Sequence, residues 1–375
     1  MPDLSRNPHL KTRIFLDERT ISPALGKLWV RVEFAKKVGK MKALIFEEHG
    51  PISNLKLIDM PQPVPARNEA LVRVKAFSLN GFDPMVLARI PTLKTPLPMI
   101  LGADIAGYIE SYAPGVKNGP SVGTRVLVDP VLPDGAGVLG ETALGGAREY
   151  MCVPAENLIV LPDTVSFEDA AALPIAYGTA HRMLKTRADV KAGDKVLVLG
   201  ATGGVGICCV QLAKMMGAEV TACTSSASKA EKLKALGADH VINTSEADYL
   251  EAVRKLWGKP RVFGESGGAD IIVNFIGGDD WIKTLKAARR GGKIVTCGAT
   301  SGHSPQTDLR YIWSFELNIL GSNSYVRDDL ISLVDLVASG DVKPVKHVVR
   351  PLEELPVSLQ EMINRKVFGK CILTV

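Results

Sequence analysis

The sequence predicts an α/β protein in which a doubly wound parallel sheet is joined to a β-rich, barrel-like domain. Three observations carry that expectation. Short β-type runs punctuated by Pro, Asn and Gly fill the first part of the chain, strands alternate with helical stretches through its middle, and one apolar strand there breaks into the glycine-rich turn "VLVLGATGGVG", residues 196–206. Apolar strands with helical crossovers imply a parallel sheet covered on both faces. The 375 residues, 46% of them hydrophobic, suffice for two packed domains.

Residues 1–40 stand apart as an N-terminal extension with mixed charge and no packing period. Nine Lys/Arg against four Asp/Glu give this stretch the whole net charge of +5. The remainder is balanced and offers no electrostatic case for nucleic acid. Asp3, Asp17, Glu18 and Glu33 count against a mitochondrial presequence, since such segments are poor in acids. From Met41 onward, β-type runs at 43–46, 55–59 and 70–76, then "TRVLVDP" and "REYMCVPAENLIVLP", build the barrel-like domain over residues 41–165. Over 166–323, "KVLVLG", "EVTAC", "HVIN", "DIIVNFIG", "KIVTCGA" and "LNILGSN" alternate with helices at 203–216, 229–236, 247–256 and 281–288. Residues 324–375, with an amphipathic helix at 328–339 and the closing "GKCILTV", are expected to return to the first domain. No apolar segment approaches the ~20 residues that cross a bilayer, so no membrane partner is expected. Six scattered cysteines without a C-x-x-C pair fit a reducing compartment, the cytoplasm.

The turn Ala201-Thr202-Gly203-Gly204-Val205-Gly206 joins strand to helix where small residues let backbone approach a pyrophosphate, with the helix N-terminus facing its charge. Ala201 replaces the first glycine of G-x-G-x-x-G, but its place after a strand supports a dinucleotide site. An acid about 20 residues further on would bind the ribose hydroxyls of NAD. "VTACTSSASKAEK" instead puts Ser225, Ser226 and Lys229 there, which suits the 2′-phosphate of NADPH. The alternative is that the two serines only cap the helix carrying Lys229.

The order of a β-rich lobe, an inserted nucleotide fold and a returning tail, with "GATGGVG", "LGADHVIN", "GGKIVTCGATSG", "ELNILGS" and "GKCIL", resembles the medium-chain dehydrogenase/reductase superfamily over residues 41–375. The resemblance implies a GroES-like domain (41–165 and 324–375), a Rossmann domain (166–323) and a homodimer. It adds Thr179, Thr244, Phe275, Gly298 and Asn323 to the cofactor site. Zinc members of that family carry a Cys, a Gly-His-Glu turn and a later Cys, where this chain has Asn80, Ala103 and Ile175. Asp104 alone cannot hold zinc and reads as a buried turn acid, while His181 and His303 lack ligand spacing, so no metal is expected. The four-cysteine structural lobe is also missing, with only Cys152 in that stretch.

Without a Lewis acid to stabilise an alkoxide, conjugated acceptors are favoured, because their charge spreads onto an oxygen that hydrogen bonds can stabilise. The expected activity is NADPH-dependent reduction of enones, enals or quinones, small electrophiles bound in a cleft between the domains. Asn80 is a candidate donor to the substrate carbonyl, and Asp83 either lines the cleft or caps the "DPMVLARI" segment. Tyr177, two residues past Ile175, is the candidate proton donor. The alternatives are a carbonyl reductase or alcohol dehydrogenase using another acid, and a protein that binds NADPH without turnover. Removing residues 1–40 is expected to leave NADPH binding intact; loss of folding or of binding in the truncated protein would make them part of the structure.

Overall fold

The computed structural model describes residues 39–375, and what the sequence suggests for residues 1–38 lies outside them. β1 (Lys40–Phe46) pairs antiparallel with β2 (Lys56–Pro61). β3 (Glu69–Ser78) is the spine of the β-rich domain and is followed by the short helix α1 (Asp83–Ala88). β4 (Met99–Ile100) closes on β1, and β5 (Asp104–Tyr112) runs the length of one edge of β3. β6 (Arg125–Val128), the hairpin β7 (Val131–Leu132) and β8 (Gly137–Val138), β9 (Tyr150–Pro154) and β10 (Leu158–Val160) complete the first pass. β9 covers the start of the other edge of β3, which leaves residues 76–78 for a strand made much later.

α2 (Phe167–Ala170) opens the crossing to the second domain, capped by the Ser166 hydroxyl. Leu173–Tyr177, α3 (Gly178–His181) and Arg182–Arg187 then form one irregular helical run with wide π-type turns on either side of α3. Gly178 is required there, because a Cβ would lie 2.7 Å from the Tyr325 ring. β11 (Lys195–Val198), α4 (Gly204–Met215), β12 (Glu219–Thr224), α5 (Ala227–Ala235), β13 (His240–Asn243), α6 (Tyr249–Trp257), β14 (Ala269–Val273), α7 (Trp281–Ala287), β15 (Ala288–Thr296), α8 (Leu309–Ser314) and β16 (Asn318–Gly321) follow. The six strands are parallel in the order β13-β12-β11-β14-β15-β16. This is the doubly wound arrangement whose direction reverses between β11 and β14, where such sheets bind ligands at their carboxyl ends. Val196, Leu197, Val198, Ile272 and Val273 are fully buried, as central parallel strands covered on both faces must be.

The return occurs later than residue 324. α9 (Arg327–Ser339) places Leu330, Leu333 and Val334 in the same core as Ala180, Val196 and Val198, and Asp329 meets His181 Nδ1 at 2.7 Å. The amphipathic period of this helix is visible in the sequence, but period alone does not say which domain receives the apolar face. The chain rejoins the β-rich domain only with β17 (Lys346–Pro351), α10 (Leu355–Ile363) and β18 (Lys370–Thr374). β18 fills the vacant stretch of β3, and Leu355 and Leu359 join Phe46, Phe77 and Leu87 in the core of that domain.

All six cysteines are unpaired, four of them buried. Burial pushes the Cys223 thiol up to about 12 and Cys371 to about 11, so they act as packing groups. Among the described residues, no helix is long and apolar enough to cross a membrane.

Candidate functional site

The nucleotide candidates follow the carboxyl ends of successive strands: 201–206 after β11, Ser225 and Ser226 after β12, Thr244 after β13, Phe275 after β14, Gly298 after β15 and Asn323 after β16. α4 starts at Gly204 with Gly203 as its N-cap and no side-chain cap, leaving its first backbone N–H groups free for an anion. A Cβ on Gly203 or Gly204 would meet nothing nearer than 3.6 Å, so neither position is sterically confined to glycine. Gly206 has the opposite role, since a Cβ there would lie 2.2 Å from the Gly200 carbonyl. Its lack of a side chain lets α4 pack onto the turn. The residues fit a dinucleotide.

Beside this turn lies a cavity of about 170 Å³ that brings Thr202, Ser225 and Thr244 together. The sequence reading missed its other polar walls, Asn274, Tyr249 and Asp280. Asn274 Oδ1 accepts from the N–H groups of Ile276 and Gly277 and so shapes the loop after β14. Ser226 makes no capping bond to α5, and Ser225 is exposed, so the two serines are not explained as helix caps. Lys229 departs from the expected free cation: its Nζ donates to the carbonyls of Arg365 and Val367, both at 2.8 Å. Two of its three N–H bonds are used by these carbonyls.

Asn80 and the neighbours of Ala103 and Ile175 meet around a buried ion pair. Lys370 Nζ, on a residue 2% exposed, donates to Asp104 Oδ2 at 2.9 Å, the Leu79 carbonyl at 2.9 Å and Asn80 Oδ1 at 2.5 Å. Asp104 Oδ2 also accepts from Ser78 Oγ and Asn80 Nδ2, while its Oδ1 accepts from Ile175 N. Asp104 is thus the buried, hydrogen-bonded acid the sequence suggests. Lys370 is the residue sequence reasoning missed. Its signal is a lysine opening the otherwise largely apolar strand "KCILT", with a lone acid in "LGADIAG", since lysine is fully buried only when paired. An amide, a methyl and a hydrocarbon side chain at 80, 103 and 175 supply neither thiolate nor imidazole, and no group of three or more His, Cys, Asp or Glu is gathered among the described residues. His303 is exposed, and His181 is spent on Asp329.

Asp83 neither caps α1 nor faces a cleft. It is fully buried, and its carboxylate accepts from Asn80 N at 2.6 Å and Gly102 N at 3.0 Å, fastening the turn after β3 to the turn before β5. Burial outweighs those two bonds and pushes its carboxyl up to about 7.

Tyr177 is a correction. It is 0% exposed, its hydroxyl donates to Gln211 Oε1 at 2.7 Å and accepts from Val345 N at 3.0 Å, and burial holds the phenol well above its usual range. The π-type turn at 173–177 rotates the ring into the core, and periodicity in the sequence does not reveal such a turn. Thr179, on α3, is 7% exposed. Phe275 is half-buried and gives its carbonyl to Thr300 N, Gly298 lies in the turn held by the Thr296 hydroxyl, and Asn323 is exposed.

Residues 66–163 match the alcohol dehydrogenase GroES-like domain, and residues 204–339 the zinc-binding dehydrogenase domain. Crotonyl-CoA reductase of Streptomyces avermitilis is 32% identical over 348 residues, 81% of this chain and 78% of that protein. Quinone oxidoreductase of Mus musculus is 30% identical over 342 residues, 89% of this chain and 97% of that protein. Among solved structures, an NAD-dependent alcohol dehydrogenase superposes with a TM-score of 0.82 at 34% identity, covering 89% of this chain and 99% of that one. The chain belongs to the medium-chain dehydrogenase/reductase superfamily.

Two outcomes follow from these placements. Tyr177→Phe leaves the Val345 N–H without its partner and is expected to cost about 1–2 kcal/mol in urea unfolding while leaving turnover near normal. The folded state keeps a proton on Asp83 that the unfolded chain releases in the ordinary carboxylate range. This group therefore favours folding most in acid, and that contribution fades as the pH rises towards 7. Relative to Asp83→Asn, the native protein should lose ~2–3 kcal/mol of stability between about pH 5 and about pH 8, read from urea midpoints.

Proposed function

We propose that the chain is an NADPH-dependent reductase that delivers hydride, without a metal ion, to electron-poor double bonds in enones, enals or quinones. The observation that carries this reading is the set of residues at 80, 103 and 175, which offers neither thiolate nor imidazole and whose one polar side chain, Asn80, is bound to the Lys370 ammonium. A reduced nicotinamide supplies the hydride when bound. The protein's part is to hold the substrate oxygen against a hydrogen-bond donor while negative charge collects there, and the Asn80 amide is that donor. A plain ketone would concentrate the charge as an alkoxide, for which this site has no Lewis acid. Relatives named quinone oxidoreductase and crotonyl-CoA reductase support the choice of acceptor.

NADPH is favoured by the lack of an acid at the end of β12, the exposed Ser225 and the third N–H of Lys229. The unpaired cysteines suit the cytoplasm. A homodimer goes with this reading, because β16 is an edge strand whose outer side has no partner among the described residues.

The purified protein should consume NADPH with cyclohexenone or a naphthoquinone, and should not do so with a saturated aldehyde or, in reverse, with an alcohol. Turnover confined to the aldehyde and alcohol would make it a carbonyl reductase or alcohol dehydrogenase, and binding without turnover a nucleotide-binding protein. NADPH should bind more tightly than NADH, and Ser225→Asp should weaken NADPH at least ~10-fold, the weight of one charge-assisted contact. Equal affinities in the native protein would refute the cofactor assignment.

A further inference from the structure

The Lys370 ammonium has three N–H bonds and three acceptors, Leu79 O, Asn80 Oδ1 and Asp104 Oδ2. Nothing is left with which to touch a substrate, and at 2% exposure the group does not reach one. Its effect falls on Asn80. The amide oxygen of Asn80 is taken by the cation and one amide N–H by Asp104 Oδ2, at 2.9 Å. Turning the amide over would set its NH₂ against an ammonium and its carbonyl against a carboxylate, exchanging two charge-assisted bonds for two repulsions. Without Lys370 only the bond to Asp104 is left to orient the amide, and the charge-assisted bond to its oxygen is lost. Among the described residues the second N–H of Asn80 has no partner, so it is the side-chain donor of the cluster still unspent.

We propose that Lys370 is a positioning residue: by fixing the amide of Asn80 from the far end of the chain, it makes that side chain a committed hydrogen-bond donor to the substrate oxygen. The role rests on the reductase reading above, and it explains how a site with an amide at position 80 discriminates for an oxygen that gains charge. An acceptor group at the same place would repel it.

The test compares native protein, Lys370→Met, Asn80→Ala and the double variant, with cyclohexenone and NADPH. Each single change should lower kcat by about 100-fold, the usual loss on removing one such donor, and the double variant should fall no further. NADPH affinity should stay within about twofold throughout. Losses that multiply to ~10⁴ in the double variant, or a near-native kcat in Lys370→Met, would overturn the proposal.

A second measurement needs no turnover. In protein labelled with ¹⁵N-asparagine, the side-chain amide pair that disappears in Asn80→Ala should exchange slowly in the native protein and rapidly in Lys370→Met. Unchanged exchange would overturn the lock, whereas a native protein that reduces no acceptor but shows the locked amide would fault the reductase reading alone. Should Lys370→Met fail to fold because Asp104 is left unpaired, the same comparisons are made in Asp104→Asn/Lys370→Met, which removes both charges.

Discussion

The Lys370–Asp104 pair is the constraint around which this molecule is organised. A fully buried ammonium and carboxylate are costly to desolvate, and such a pair is tolerated only when every remaining lone pair and proton is satisfied. Here they are satisfied by groups from four places: Ser78 at the end of β3, Leu79 and Asn80 in the turn beyond it, β5 through Asp104 itself, and Ile175 from the crossing to the second domain. Moving any one of these segments strands a buried charge. The turn that carries Asn80 and Asp83 is held by these buried polar contacts.

The domains are fastened by polar contacts of the same kind. Tyr177 reaches Val345, Tyr325 donates to Asp129 at 2.9 Å, and Lys229 grips the carbonyls of Arg365 and Val367. Each joins segments far apart in the chain, and the Tyr325–Asp129 bond is buried, where losing one partner leaves the other unsatisfied. Between them runs a continuous apolar core in which Ala76, Ala106 and Ile372 of the β-rich domain touch the same cluster as Val196 and Val198.

How much of this was legible in the sequence follows from the range of each interaction. The parallel strands and the glycine turn depend on residues close together, so periodicity and punctuation are enough to find them. The residues at 80, 103 and 175 gain a meaning only through resemblance, which says what relatives carry there but not what surrounds those positions here. Lys370 was not legible, because its partners are 266 to 291 residues away and nothing in "GKCILTV" says which acid it meets. Tyr177 misled because its position in a motif predicts its neighbourhood but not the direction of its ring. α9 misled because an apolar face says that a helix is buried without saying against what.

The late arrival of β18 bears on the order in which the protein is made. β3 and β5 are synthesised before any part of the parallel sheet, with Asp104 in place and no cation within reach. The edge of β3 at 76–78 stays open and the carboxylate unpaired until the chain has passed through both sheets. During that interval the first domain is a template with two strands missing, exposed to water and to pairing with other chains. Its closure is a non-local event of high sequence separation, the kind that folds slowly. A ribosome-bound chain stopped after α9 would therefore carry a complete parallel-sheet fold beside an unfinished β-rich domain.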